Sequence, residues 1–498
     1  MFNWYLASGD VGFFWKEQIA VFSWLPQVWH GDQDFGFNGL LSLWLDYPFR
    51  VVVKLMSTVG MSWFVIEKLL WAAIFLLATY SSYKLAKSLV APVVYAANTY
   101  FLLLFTGGQL GVAAAYALAP LVLFKFMERR VISNGLWFAL LVALDLRIAF
   151  LIADAIGLYY LVDKKTSYFP AFIYSMLIAS SVHLYWILPT VLASRGTASL
   201  GEQFTNPGML KFLSFADFSH ALALLHLNWP DNLFGRVYFL QPEFLLIPVL
   251  AFSSLLFTKK NRTIIFFALL ALIGVFFAKG VNDPFGGIFQ WMFVHIPGFV
   301  MFRDPTKFYL FTAIGYSVLI SMAFSKFKNK YFLLLFALFW VFSLRGMRLY
   351  VMQLPDEYVK LKDILVADPV PSRTLWIPAK ENFVYSSDVH PSMSASAGAQ
   401  IDPSVKYVIV PADMNRRIFL DNYKYDPSIR SKIIAELSKT SLIRDDDFQD
   451  IAVYKNPAFS GMNAAVPQNV ARQQYLANIG TGVSVLFMLI WIAVLKLL

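Results

Sequence analysis

The 498-residue sequence contains no cysteine. It therefore excludes disulfide bonds, thiolate metal sites and a cysteine nucleophile, while the cellular compartment stays open. The sequence also lacks a glycine-rich phosphate loop, an HExxH zinc motif and a recognisable Ser/His/Asp signature. Together these absences argue against nucleotide-driven transport by this chain.

Charged residues are scarce, at 14% of the sequence, whereas 58% of the residues are hydrophobic and 17% are aromatic. The mean hydropathy of +0.59 is far too high for a soluble protein of this length. We predict an α-helical polytopic membrane protein with about eleven transmembrane or half-membrane helices. The predicted helices cover residues 62–82, 88–106, 109–127, 135–145, 148–162, 168–190, 240–257, 263–279, 306–324, 331–346 and 479–497.

The net charge of +10 reflects membrane topology rather than nucleic-acid binding. Lysine and arginine recur at alternate junctions between the apolar runs, and such residues mark the cytoplasmic side of a membrane. This pattern predicts a multi-pass protein of the cytoplasmic (cell) membrane whose longer segments, and therefore its working parts, are extracytoplasmic. It also requires a tight turn at Asp145, Leu146 and Arg147 between two short helices, which is tolerated inside a helical bundle.

Composition divides the chain into four parts. Residues 1–60 form an extracytoplasmic first loop with an interfacial helix near 11–28, and residues 61–346 form a transmembrane domain with external loops at 191–239 and 280–305. Residues 347–478 form a small extracytoplasmic α/β domain, and residues 479–498 form a C-terminal transmembrane helix. Because no signal peptide is visible, we expect a further membrane helix before the first loop.

The sequence of the predicted α/β domain, residues 347–478, is specific enough to predict the positions of its helices and strands. Helices are predicted at 356–366 and 427–439, and strands at 373–378, 406–411 and 451–454. The function of this segment, acceptor binding or stability alone, is left open by the sequence.

Three charged residues stand where one apolar run begins: Arg303, Asp304 and Lys307. Pro305 suits the first position of a helix, which makes Asp304 the natural cap. Lys307 then lies in the first turn, where a cation opposes the helix dipole, and Arg303 adds a second positive charge. An anionic ligand would resolve this conflict, so we predict a phosphate site. The alternative is that both cations reach lipid headgroups.

Asp10 follows Ser8 and Gly9 in the predicted external loop, where a carboxylate could accept a proton from an acceptor hydroxyl. An ordinary Gly-Asp turn is the alternative interpretation. A transferase that uses a lipid-linked sugar phosphate needs such a base together with cations for the leaving phosphate. Asp32 and Asp34 are secondary candidates, although the favoured interpretation makes them solvated loop residues.

The order and spacing of several motifs over roughly residues 1–346 resemble the GT-C superfamily of integral-membrane glycosyltransferases. The likeness is greatest to bacterial enzymes related to arabinofuranosyltransferases. The motifs are Ser8-Gly9-Asp10, Pro26 to Gly31, Pro48, Asn98 with Tyr100 and Phe101, Gly107-Gly108, Tyr116 to Pro120, Tyr185 to Pro189, Ala278 to Gly280, and Ile296 to Phe299 with Phe302 to Lys307.

The resemblance implies an inverting transfer of sugar from a polyprenyl-phosphate donor to a glycan or lipid acceptor at the bilayer. It implies that Asp10 is the general base and that Arg303 and Lys307 bind the donor phosphate, with Asp304 as a further secondary candidate. No metal ligand or cofactor is assigned, but a divalent cation remains an alternative even though Asp10 has no adjacent acidic partner. Two other hypotheses are a non-catalytic transporter or flippase of lipid-linked glycans and an envelope-assembly scaffold.

Overall fold

The computed structural model describes residues 4–6, 12–128, 130–193, 206–224, 242–257, 262–325, 330–344, 351–378, 382–396, 400–412, 427–462 and 466–497. The α-helices are α1 Lys16–Val21, α2 Leu43–Thr58, α3 Trp63–Ala86, α4 Val90–Ala96, α5 Thr99–Thr106, α6 Leu110–Met127, α7 Val131–Leu144, α8 Leu146–Val162, α9 Phe169–Val182, α10 Leu184–Ala193, α11 Met209–Leu213, α12 Phe218–Leu222, α13 Leu246–Phe257, α14 Arg262–Ala278, α15 Gly286–His295, α16 Tyr309–Phe324, α17 Lys330–Ser343, α18 Asp356–Ala367, α19 Pro427–Leu437 and α20 Gln468–Leu497. Short 3₁₀ segments are Leu40–Ser42, Thr166–Tyr168, Pro242–Leu245, Phe299–Phe302 and Pro305–Phe308. The strands are β1 Trp29–His30, β2 Phe37–Asn38, β3 Arg373–Trp376, β4 Ser392–Ser394, β5 Val405–Val410, β6 Ile443–Asp445 and β7 Ala452–Lys455.

The chain folds into two compact units, which we call the sheet unit and the helical unit. The sheet unit comprises Met1–Lys68, Tyr185–Thr197 and Tyr350–Thr481, and the helical unit comprises Leu69–Leu184, Ala198–Leu349 and Gly482–Leu498. The first loop and the α/β segment, which the sequence separates by some 300 residues, thus belong to one unit.

Apolar helices confirm a multi-pass membrane protein. Within the described ranges, four helices are long and apolar enough to cross a bilayer, or five if one bent pair is counted as a single span. The four are Trp63–Ala86, Leu110–Met127, Pro305–Phe324 and Gln468–Leu497. Shorter apolar helices occupy other predicted runs, so the figure of about eleven stays a prediction.

Two of the predicted continuous helices are wrong in detail. The run 88–106 is interrupted at Asn98, whose amide donates to the Val94 and Tyr95 carbonyls at 3.0 and 2.7 Å while its oxygen accepts from Phe101 N at 3.0 Å. One side chain therefore ends α4 and caps α5. The run 168–190 bends by 84° between α9 and α10, where the His183 ring bonds the Ala139 carbonyl oxygen at 2.8 Å.

Close backbone packing fixes α16, the helix that directly follows Lys307 and its 3₁₀ turn. A Cβ added to Gly274 on α14 would lie 2.5 Å from Thr312 N on α16, and one added to Gly315 on α16 would lie 2.7 Å from the Cβ of Ala271 on α14. Small residues let two membrane helices approach in this way. The start of α16 is consequently held against its neighbour rather than left free in lipid.

In the sheet unit, the strands of the α/β segment follow the order β4-β3-β5-β7-β6 among the residues described. Strand β3 runs parallel to β4 and β5, whereas β7 is antiparallel to β5 and β6. The core of the sheet contains buried apolar residues from β5 and β7 with Ile433 and Leu437 of α19. The predicted helices and strands of this segment are thereby confirmed to within a few residues.

The first loop is built onto this sheet segment. The Trp15 indole donates to the Phe383 carbonyl at 3.1 Å, and Gln18 donates to the Ser386 carbonyl at 2.9 Å. The helix expected over 11–28 is only the six-residue α1. Trp15 is buried against protein, at 6% exposure, so its ring is not one that an interfacial helix could place in lipid.

Candidate functional site

The charged helix start in the helical unit has the predicted cap. Asp304 is extended, and its carboxylate accepts from Thr306 N at 3.0 Å and from Thr306 Oγ1 at 2.6 Å. Pro305 opens the 3₁₀ turn Pro305–Phe308, which continues directly into α16. The predicted cap at Asp304 and the predicted helix start at Pro305 are therefore confirmed.

Lys307 has an acidic partner inside the same turn. Its ammonium donates to the Asp304 carboxylate, and its side chain is only 2% exposed against 25% for Asp304. Phe302 and Phe308, whose ring centroids are 5.2 Å apart, contribute to the buried aromatic surroundings. The positive charge of Lys307, for which the sequence predicted a phosphate ligand, is thus balanced by a partly buried ion pair with Asp304.

A second ion pair lies close to this one. Asp145 is fully buried, caps α8 by accepting from Arg147 N and Ile148 N at 2.8 and 3.0 Å, and pairs with the Arg147 guanidinium at 2.6 Å. Arg147 interacts electrostatically with Asp304 and with Arg303. Phe150, one turn further along α8, contacts Phe302 with ring centroids 5.8 Å apart.

The result is a cation cluster in which Arg147, Arg303 and Lys307 face the carboxylates Asp145 and Asp304. Two guanidinium groups and one ammonium group thus lie together in partly buried surroundings. Such a cluster suits an anion that can bind guanidinium groups in a bidentate manner, and phosphate does so well.

The turn after α14 supports the start of α16. Gly280 has φ +61°, and an added Cβ would lie 2.2 Å from Ser214 Oγ and 2.8 Å from Pro305 Cγ. The neighbouring Lys279 is buried, and its ammonium donates to the Asn282 carbonyl at 2.7 Å. Only glycine fits this position. The motif Ala278 to Gly280 therefore lets the turn pack closely against Pro305.

The sheet unit contains a separate candidate site, a cavity of about 480 Å³ that we call the hairpin cavity. Its lining comes from the loop and helices at residues 12–50 and from residues 382–392. The hairpin of β1 and β2 supplies one side, with Trp29 opposite Asn38 and His30 opposite Phe37. The same hairpin is joined to β4 because Asp34 N donates to Ser392 O at 3.0 Å and Ser392 N donates to Asp32 O at 3.2 Å.

His30 is held in the cavity wall by a charged pair. Arg50 bonds Asp46 at 2.9 Å on the same face of α2, and it approaches His30 Nδ1 at 3.2 Å while Asp46 lies 3.5 Å from Nε2. Burial first, and then the charge of Arg50, lowers the pKa of His30 despite the nearby carboxylates. His30 is consequently neutral at neutral pH. A Cβ at Gly39 would lie 2.4 Å from His30 Nε2, so this glycine makes room for the ring.

The structure separates the two secondary candidates in the hairpin. Asp32 is half-buried and lines the cavity, whereas Asp34 is exposed, lies outside the lining and is held by its backbone groups at φ +50°. Asp388, from the α/β segment, lines the cavity with Asp32. Partial burial, followed by the negative charge of Asp32, raises the pKa of Asp388, while His30 and Arg50 oppose this rise.

The pKa of Asp388 gives a testable pH dependence. Because the folded protein holds this proton more tightly than the unfolded chain, ionisation of Asp388 costs stability as the pH rises from its ordinary value of 3.8 through the raised pKa. Asp388→Asn is expected to raise the thermal unfolding midpoint at pH 7, and the gain should vanish in acid. The control is Asp446→Asn, a change at an exposed residue, and its unfolding midpoint should show no such pH dependence. A gain in the midpoint of Asp388→Asn that does not depend on pH would contradict the raised pKa of Asp388.

Asp10 lies outside the described residues, so its proposed role stays a prediction. The described chain resumes at Gly12, which lines the hairpin cavity. Within the described ranges, no group of three His, Asp or Glu side chains is arranged to hold a metal ion.

Sequence reasoning missed Arg147, Asp145, His30 and Asp388 as site residues. A charged pair inside an apolar stretch was the available signal for Asp145 and Arg147, although it predicted only a turn. Nothing local marks Asp388, because its partners lie about 350 residues earlier in the chain.

No family model and no curated protein matches this sequence. The structure is similar to the cryo-electron microscopy structure of arabinofuranosyltransferase AftD from mycobacteria, with a TM-score of 0.57 and 13% identity over 93% of this chain and 39% of that chain. A structure of a mutant of that protein matches with a TM-score of 0.47 and 14% identity over 88% and 38% of the two chains. The chain therefore shares the fold of the part of AftD that it matches, which is 39% of that chain, and this confirms the resemblance at the level of fold.

Proposed function

We propose that this protein is a membrane glycosyltransferase that moves a sugar from a polyprenyl-phosphate donor to an extracytoplasmic glycan or lipid acceptor. The observation that carries the proposal is the fold shared with an arabinofuranosyltransferase over 93% of the chain. The cation cluster adds chemical support, because positive charge beside a helix start suits a phosphate leaving group.

In the proposed reaction, the Asp10 carboxylate accepts the proton of an acceptor hydroxyl. The hydroxyl oxygen bonds to the anomeric carbon as the bond from that carbon to the phosphate oxygen breaks. The electron pair leaves with the polyprenyl phosphate, whose negative charge Arg303 stabilises, and a single displacement inverts the anomeric centre. Lys307 assists through an N–H donor that Asp304 does not occupy.

The direct test uses the protein reconstituted in lipid nanodiscs with synthetic polyprenyl-phosphate pentoses and hexoses and an oligosaccharide acceptor. We expect a product one sugar longer by mass spectrometry, with inverted anomeric configuration by NMR. Movement of the donor across vesicle membranes without any product would instead support the transporter hypothesis.

Arg303→Gln is expected to raise the donor KM by about 10- to 100-fold, because a charge-assisted bond to phosphate contributes roughly 1.5–3 kcal/mol. The acceptor KM should stay unchanged. Initial rates over a donor titration measure the effect. Arg130→Gln provides the matched control, since Arg130 is 70% exposed at the start of α7 and pairs only loosely with Glu128 at 3.6 Å. Equal donor KM values for the Arg303 variant and wild type would exclude Arg303 as a donor contact.

A further inference from the structure

The hairpin cavity has the size of a ligand site. Its volume of about 480 Å³ lies within the range of roughly 300–1,000 Å³ that small-ligand pockets occupy. Two distant parts of the sequence build it, and hydrogen bonds between them hold the walls together. Ser386 Oγ donates to the Asp32 carbonyl oxygen, and Gln18 donates to the Ser386 carbonyl. The cavity is thus a product of the folded sheet unit rather than of one loop.

The charges that line the cavity disfavour an anionic ligand. Asp46 and Arg50 neutralise each other at 2.9 Å, and His30 is neutral at neutral pH. Asp32 and Asp388 then supply excess negative charge. A donor phosphate would be repelled here.

The remaining lining suits a ligand rich in hydroxyl groups. Carboxylates accept hydrogen bonds, and the side-chain amides and hydroxyl of Gln33, Asn382 and Ser387 both donate and accept. Trp29 adds a large aromatic surface, and the ring lies so close to Gly36 that an added Cβ there would be 2.2 Å from it. Sugars present hydroxyl edges and apolar C–H faces, so one ligand class matches both features.

We propose that the hairpin cavity binds a neutral oligosaccharide, with Asp32 and Asp388 accepting from its hydroxyl groups and Trp29 packing against a sugar ring. Its identification as the acceptor rests on the proposed function, but the binding itself does not. The α/β segment then has a defined task, because it contributes Asp388 and with it one wall of the carbohydrate site.

The binding test uses the full chain in nanodiscs without donor. Neutral arabinan, mannan and glucan oligosaccharides are titrated by calorimetry, with glucose 6-phosphate and trilysine as anionic and cationic comparisons. We expect one neutral oligosaccharide to bind and both charged probes to fail. The variant Asp32→Asn/Asp388→Asn should weaken binding at least tenfold, because it replaces two charge-assisted bonds with neutral ones.

Trp29→Phe and Trp29→Ala form a graded second series, in which the smaller aromatic ring should retain part of the affinity and alanine should lose it. Asp446→Asn is the matched control, and size-exclusion profiles with thermal unfolding verify that each variant is folded. The proposal is overturned if wild type binds no neutral oligosaccharide, if trilysine binds instead, or if the folded cavity variants bind with unchanged affinity.

Transfer kinetics separate this proposal from the proposed function. Where transfer occurs, the cavity variants should raise the acceptor KM and leave the donor KM unaltered. Oligosaccharide binding without any transfer would refute the proposed glycosyltransferase activity, while the proposal of a carbohydrate site would stand. Transfer with an unaltered acceptor KM in the cavity variants would refute the acceptor assignment alone.

Discussion

Asp10→Asn is expected to lower the rate of sugar transfer by about 10²- to 10⁴-fold, the contribution that a positioned general base typically makes. Asparagine keeps the size and polarity of the side chain but cannot take the proton from the acceptor hydroxyl at neutral pH. The loss should therefore fall on kcat, with donor and acceptor KM values within a fewfold of wild type. Single-turnover product formation in nanodiscs measures the chemical step most directly.

The matched change Asp446→Asn should leave transfer unaltered, because Asp446 is an exposed residue of the α/β segment. Calorimetric oligosaccharide binding by Asp10→Asn gives a second reading that does not need catalysis. Retained transfer in a folded Asp10→Asn protein would remove the residue from the mechanism. Asp32, which lines the hairpin cavity, would then be the next base to test.

The Asp10→Asn variant also distinguishes the proposed glycosyltransferase from the transporter hypothesis. A flippase needs no proton acceptor on an acceptor sugar, so its rate of lipid movement should be indifferent to Asp10. Fluorescently labelled polyprenyl-phosphate sugar in vesicles reports movement, and mass spectrometry reports transfer on the same preparation. Movement without transfer in wild type, and equal movement in Asp10→Asn, would favour the flippase.

Local sequence patterns predicted the helices whose position depends on one local property, such as apolar length or a capping residue. Apolar length located α3 and α6, and the order Asp304, Pro305, Lys307 predicted a capped start that the structure confirms. The break at Asn98 and the bend at His183 escaped prediction because the hydrophobic runs continue through both. At each place one polar side chain also makes a tertiary contact. Asn98, whose capping bonds lie within its own segment, donates to the Tyr116 hydroxyl, and the His183 ring bonds the Ala139 carbonyl oxygen.

The residues of the candidate site divide in the same way, into those that the local sequence marks and those that only tertiary contacts bring together. Arg303 and Lys307 could be found because they stand at the start of an apolar run, where a cation opposes the helix dipole. Arg147 reaches the same cluster only through packing of α8 on the turn before α16, and Asp388 reaches Asp32 only through the union of the first loop with the α/β segment. Such contacts are set by tertiary structure, to which a single sequence gives no local signal.

Lys307→Met is expected to destabilise the protein by about 2–4 kcal/mol. Removing one partner of a buried ion pair typically costs roughly 3–5 kcal/mol, and the 25% exposure of Asp304 reduces this figure because water solvates part of the carboxylate. Lys455→Met is the control. Its lysine is 55% exposed in a surface pair with Asp445, so a loss of at most about 1 kcal/mol is expected. Unfolding of detergent-solubilised protein in a denaturant series measures both values.

The double change Asp304→Asn/Lys307→Met separates the structural role of Lys307 from its proposed contact with the donor. Asparagine can still accept from Thr306 N and so keeps the cap, while no unpaired charge remains. Most of the stability should therefore return. If Lys307 also binds the donor phosphate, the donor KM of this stable double variant should stay at least tenfold above that of wild type. A restored fold with a wild-type donor KM would make Lys307 a partner of Asp304 alone and leave Arg303 as the phosphate contact.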